Sequence, residues 1–135
     1  MIVLEYLTKH YFFYWHPFCL YLINYMCKMD DSLTLSQLIN VNQAVMLYFY
    51  NNSCPPCVAL RPKVDDMLAE NYPLITRYFI EAEANPQDAA DFGVFASPTI
   101  IVFFEGKEFK RFSKYISVNE LSAALERPYS LLFSE

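Results

Sequence analysis

Four residues constrain this chain more than any others: Cys54-Pro55-Pro56-Cys57, set between an apolar run and a helical pattern. The run before them, Ala44 to Tyr50 (AVMLYFY), is unbroken by polar residues, as expected of a strand buried on both faces. Asn51-Asn52-Ser53 interrupts it. Beyond the cysteines, Val58, Leu60, Val64, Met67 and Leu68 fall mostly at helical spacing. They predict a helix from the CPPC region to about Glu70, kinked at Pro62. The cysteine pair is therefore expected where a buried strand feeds a helix.

That position suits redox chemistry. Cysteine attacks as a thiolate, and the free N–H groups and dipole of a helix N-terminus stabilise an anion. Cys54 is expected at that terminus, with Cys57 one turn on and able to close a disulfide with it. Cys54 would attack a substrate disulfide, and Cys57 would displace the reduced substrate from the mixed disulfide. Pro55 and Pro56 carry no N–H, which leaves Cys57 and Val58 as the first-turn donors facing Cys54. The competing reading is half of a zinc site. Its other half would have to come from Cys19, Cys27, His10 or His16, none of which forms a second close pair, so no metal is expected. No bound cofactor is needed. The two glycines, Gly93 and Gly106, stand alone and cannot form a phosphate-cradling loop. A net charge of −5 with interspersed signs argues against nucleic acid as a partner.

The rest of the chain alternates between the two periodicities. Ser36 is read as the cap of a short helix through about Val41, Leu74 to Glu83 as a second strand and Pro86 to Asp91 as a short helix. Thr99 to Phe104 is read as a third strand, Glu105-Gly106-Lys107 as a hairpin turn and Glu108 to Phe112 as the returning strand. Ser117 and Glu120 have capping-box spacing and open a last helix, which Arg127-Pro128 is expected to end. The expected order is β-α-β-α-β-α-β-β-α, with a weak opening strand. Early alternation demands parallel strands, and the late hairpin demands antiparallel ones. The fold class is thus α/β: a mixed central sheet with helices on both faces and an N-terminal extension.

Residues 1–28 form that extension, and residues 29–135 form one domain. The extension is rich in aromatics and contains the single tryptophan, Trp15. Its longest apolar stretch, Tyr11 to Met26, is 16 residues interrupted by His16, Pro17 and Asn24. That is short of the ~20 residues of a spanning helix, and no small-residue cleavage site follows it. Three readings stand: a membrane or interfacial anchor through residues 1–27, an extra packed helix or dimer surface, and an over-long start. A cytoplasmic location is favoured over a membrane-anchored one.

The domain resembles the thioredoxin superfamily from about Leu33 to Leu125, through two separated motifs. One is Ser53-Cys54-Pro55-Pro56-Cys57 with Pro62 beyond it; the other is Ala96-Ser97-Pro98-Thr99 just before a strand. The resemblance implies a thioredoxin fold and a thiol–disulfide oxidoreductase with Cys54 as nucleophile and Cys57 as resolver. It implies a cis Pro98 beside the disulfide and a backbone contact from Ser97 to bound peptide. Ser53, Pro55 and Pro56 would complete the substrate-binding rim. Partners would be protein disulfides or dithiols and a redox-recycling protein; the oligomeric state is not specified. The alternative is a peptide-binding module of the same fold with weak or no redox turnover. Several positions depart from the family: Ser53 replaces a tryptophan, and Pro55-Pro56 replaces Gly-Pro. Tyr48 occupies the place of a buried aspartate, and Phe79 that of its lysine partner, so an apolar site is expected behind Cys57.

Overall fold

The computed structural model describes residues 33–134. By its contacts the chain divides into Met1–Ser36 and Gln37–Glu135, and the architecture below is that of the second unit. The N-terminal extension, residues 1–28, with Cys19, Cys27, His10 and His16, lies outside the described residues, as does any opening strand ahead of residue 33.

The elements follow in the order α1 (Leu35–Val41), β1 (Ala44–Tyr50), α2 (Pro55–Asn71), β2 (Thr76–Glu81), α3 (Pro86–Asp91), β3 (Thr99–Phe104), β4 (Lys107–Ser113) and α4 (Val118–Phe133). Among the described residues the sheet has four strands in the order β2-β1-β3-β4. β1 pairs parallel with β2 and antiparallel with β3, and β3 pairs antiparallel with β4. The mixed sheet expected from the sequence is the one observed.

β1 lies in the middle because its sequence tolerates nothing else. Val45 through Phe49 have no solvent exposure. Its even positions, Ala44, Met46 and Tyr48, join Ile100 and Val102 in a core with Val64, Met67 and Leu68 of α2 and Leu121 and Leu125 of α4. Burying each of the three α2 side chains is worth about 1.5–3 kcal/mol, which fixes that helix on the sheet. On the other face Phe92, which follows α3, packs against Phe49 and Phe103 with ring centroids 6.2 and 6.0 Å apart. In the β3–β4 turn, Glu105 and Gly106 both have positive φ (50° and 78°), the pairing of a two-residue hairpin whose twist suits the strands. A Cβ at Gly106 would also meet Asn40 Oδ1 at 3.1 Å.

α1 begins at Leu35, so Ser36 lies inside it rather than capping it, and β4 runs one residue further at each end than Glu108 to Phe112. Two other boundaries differ by more. The second strand is Thr76–Glu81 rather than Leu74 to Glu83, because the Ile75 N–H turns back to the Tyr72 carbonyl and holds the approach out of the sheet. More instructively, Pro128 does not end α4, which runs on to Phe133. Proline removes one helical donor, but the turn beyond it carries Tyr129, Leu132 and Phe133, which pack against the core. Tyr129 lies edge-on to Tyr72 at 5.1 Å and accepts a hydrogen bond from the Leu74 N–H at 3.3 Å. Tertiary packing outweighs one lost backbone bond.

Candidate active site

The site is built where β1 hands over to α2. The turn between them is organised by Asn51: its Oδ1 accepts from the Ser53 N–H at 2.8 Å, and its carbonyl accepts from the Cys54 N–H at 3.1 Å. The same side chain donates from Nδ2 to Glu83 at 2.6 Å, anchoring the turn to the chain beyond β2. An Asx turn of this kind reverses the chain within three residues, and it delivers Cys54 to the N-cap of α2 in an extended conformation (φ −99°, ψ 103°). Pro55 and Pro56 take the first two helical positions, where a missing N–H does no harm.

Cys54 and Cys57 form a disulfide with Cα atoms 5.3 Å apart. The two sulfurs are not equivalent. Cys54 is partly exposed, whereas Cys57 is fully buried, so an incoming group reaches Cys54 first. Ser53, Pro55 and Pro56 are exposed around it. The Val58 N–H is already bonded to the Cys54 carbonyl at 3.2 Å, so the set of first-turn donors expected to face the Cys54 sulfur shrinks to Cys57.

The second motif arrives from β3. The Ser97-Pro98 peptide is cis, and the Ser97 carbonyl oxygen lies 4.0 Å from Cys54 Sγ. Thr99 stabilises this approach: its hydroxyl donates to the Ala96 carbonyl at 2.6 Å. The Pro98 carbonyl accepts from the Lys114 N–H at 2.9 Å. The fold thus brings together all seven residues singled out in the sequence, from separate parts of the chain.

Behind the disulfide, expectation needs correction. Tyr48 and Phe79 are register partners on β1 and β2 with rings 5.5 Å apart, but the site they form is not purely apolar. The Tyr48 hydroxyl donates to the Cys57 carbonyl at 3.0 Å. Burial pushes the phenol up to about 12, with the positive charge of Arg61 pulling weakly the other way. Tyr48 therefore stays protonated at neutral pH: a donor to the backbone, not an acceptor for the Cys57 proton. Reading tyrosine as an aromatic filler missed its polar end, although buried tyrosines usually find a partner for it.

A sequence profile of the family described as Thioredoxin matches residues 27–127. The chain belongs to the thioredoxin family. Among thioredoxins, that of Mycolicibacterium smegmatis is 31% identical over 102 residues, covering 71% of this chain and 90% of that one. The solved structure of thioredoxin 1 from Thermosipho africanus is 31% identical with a TM-score of 0.60, covering 64% of this chain and 96% of its own. The Fasciola hepatica thioredoxin structure is 29% identical with a TM-score of 0.62, covering 69% and 89%. A Mycobacterium leprae protein named bifunctional thioredoxin reductase/thioredoxin is 26% identical over 84 residues, 62% of this chain and 18% of that protein. Within this thioredoxin fold, no three His, Cys, Asp or Glu side chains gather around one point among the described residues. Among the same residues no helix is long and apolar enough to cross a membrane.

Proposed function

We propose that the chain exchanges its Cys54–Cys57 dithiol with disulfides of protein substrates. The observation that carries this reading is the unequal exposure of a bonded cysteine pair at a helix N-terminus, beside Ser97-Pro98. In the reduced protein the Cys54 thiolate attacks one sulfur of a substrate disulfide. That bond breaks, a Cys54–substrate disulfide forms and the other substrate sulfur leaves as a thiolate that takes up a proton. Cys57, deprotonated, then attacks Cys54 Sγ and releases the second substrate thiol. Two electrons pass to the substrate, and the protein is left with its own disulfide. A recycling dithiol protein returns the two electrons; the fused reductase of the Mycobacterium leprae relative supports a reductase in that role.

Ser53, Pro55, Pro56 and Pro98 form the rim on which substrate rests, and the Ser97 backbone pairs with it. The protein works in the cytoplasm, where dithiol pairs are kept reducible, as a domain of residues 29–135 preceded by the extension.

Equilibration in graded thiol buffers, alkylation of free thiols and mass measurement test the reading. A reversible two-thiol transition is expected, and Cys54→Ser is expected to abolish exchange. A transition near about −270 mV marks a reductant and one near about −120 mV an oxidant. Intact biological activity in Cys54→Ser would instead support the binding module.

A further inference from the structure

Two aromatic side chains stand almost wholly in solvent beside the Ser97-Pro98 step: Phe95 is 94% exposed and Tyr115 97%. Aromatics in this state, on the rim of a reactive centre, mark a surface that a partner covers. They belong to two different concavities. Tyr115 lines one with Pro98, Pro56, Lys63 and Lys114. Phe95 lines the other with Ser97, Asn51 and Glu83. Consecutive residues Ser97 and Pro98 thus contribute one to each.

The two concavities differ in charge. The Tyr115 side carries two lysines against one carboxylate, Glu120. The Phe95 side carries Glu83 as its single charge. The ion pairs among the described residues are Arg77–Asp65 and Arg111–Glu108, so neither lysine is neutralised by one and Glu83 has no cation on it. In a chain of net charge −5, two unpaired cations at this rim stand against the general background. Lys114 also holds a left-handed backbone (φ 66°).

We propose that this rim docks an extended substrate segment of opposite charges on the two sides of its reacting cysteine. A carboxylate faces Lys63 and Lys114, and an ammonium or guanidinium faces Glu83. Tyr115 and Phe95 cover the apolar neighbours. The inference rests on the oxidoreductase reading and adds to it a selection by charge order.

Two peptides of identical composition test it. One carries Asp before and Lys after its single cysteine, and the other carries the reverse; each is oxidised to its symmetrical disulfide. Their rates of reduction by the dithiol protein are divided by their rates with a small-molecule dithiol, which removes differences in intrinsic reactivity. One order is expected to react about tenfold faster, the sum of a few exposed charge contacts. The preference should shrink as ionic strength rises, and it should be lost in the K63E/K114E protein, which reverses the charge of one side and leaves the Asn51–Glu83 bond in place. Equal rates, or a preference that survives both high salt and charge reversal, overturn the proposal. Failure of both peptides to react, with the two-thiol transition intact in thiol buffers, overturns the docking rim and leaves the redox reading standing. Absence of that transition overturns both.

Discussion

At the scale of a residue, Tyr48 shows how one substitution changes what surrounds a reactive pair. A buried carboxylate behind Cys57 could take the resolving thiol's proton, at the cost of desolvating a charge. Tyr48 avoids that cost, because its hydroxyl stays neutral and spends its proton on the Cys57 carbonyl. Tyr48→Phe keeps the ring against Phe79 and deletes this bond alone. It is expected to destabilise the fold by about 1 kcal/mol, since the carbonyl then loses a buried donor. Denaturant unfolding of the two proteins measures it, and no change would show that the hydroxyl is satisfied equally well in the unfolded chain. A pH dependence follows from the same group. The folded phenol titrates near 12 and an unfolded one near its ordinary value of 10, so between those values the unfolded chain has released a proton the native protein keeps. The stability contributed by this group is therefore complete below pH about 10 and is lost as pH rises from there to about 12, by at most about 1.4 kcal/mol per pH unit. Alkaline unfolding curves of Tyr48→Phe should lack that part of the decline.

At the scale of elements, the hand-over loops are held by side chains that the sequence pattern does not announce. Arg111 on β4 is one. Its Nη1 donates to the carbonyls of Phe92 and Gly93, at 2.8 and 3.2 Å, just past the end of α3. Its Nε and Nη2 grip Glu108 at 2.9 and 3.0 Å. The guanidinium holds the Glu108 carboxyl below its ordinary value, so this support is complete above that value and is lost as pH falls through the lowered one. Arg111→Lys keeps the charge but not the fork. Faster amide exchange is expected across residues 92–97, the stretch leading to Pro98, with the β1 amides unchanged; exchange that rises equally in both would mean a global loss instead. The tail of α4 gives a second case. Tyr129→Ala removes the edge-on contact with Tyr72 and the acceptor for Leu74, and it is expected to cost about 2 kcal/mol and to fray the helix beyond Pro128. Helical signal lost on urea titration before the main transition would report the fraying. These elements also show what was legible. β1, α3, β3 and the hairpin follow directly from AVMLYFY, Pro86, TIIVFF and Glu105-Gly106, because local preference and burial agree there. The CPPC pair was legible from its place between a buried strand and a helix, whereas Ser97-Pro98 was legible only through the resemblance to the thioredoxin superfamily. The length of α4 and the Arg111 clamp were not legible, because each depends on a partner far away in sequence. The Asn51 turn and the Tyr48 hydroxyl have nearer partners, at Ser53 and Cys57, but a hydrogen bond of one side chain leaves no periodic trace.

At the scale of the whole molecule, the disulfide and the fold share one free-energy cycle. The difference in unfolding free energy between the oxidised and reduced proteins equals the difference in disulfide stability between the folded and unfolded chains. Closing a ring from Cys54 to Cys57, three residues apart, is worth only about 2 kcal/mol in chain entropy. What opposes it is any stabilisation that the folded reduced state gives the Cys54 thiolate. Here that stabilisation is weakened: Pro55 and Pro56 supply no donors, and the Val58 N–H is committed to the Cys54 carbonyl. The oxidised protein is therefore expected to be the more stable form by about 1–2 kcal/mol. Its urea midpoint should lie higher than that of the reduced protein at an unchanged slope. Since about 1.4 kcal/mol corresponds to 30 mV for a two-electron couple, such a gap places the folded pair below an unconstrained one in potential, on the reducing side. A reduced form more resistant to urea would reverse the sign of the whole cycle. It would mean that the single remaining donor at the mouth of α2 holds the thiolate more strongly than the fold holds the bond, and the protein would then act as an oxidant.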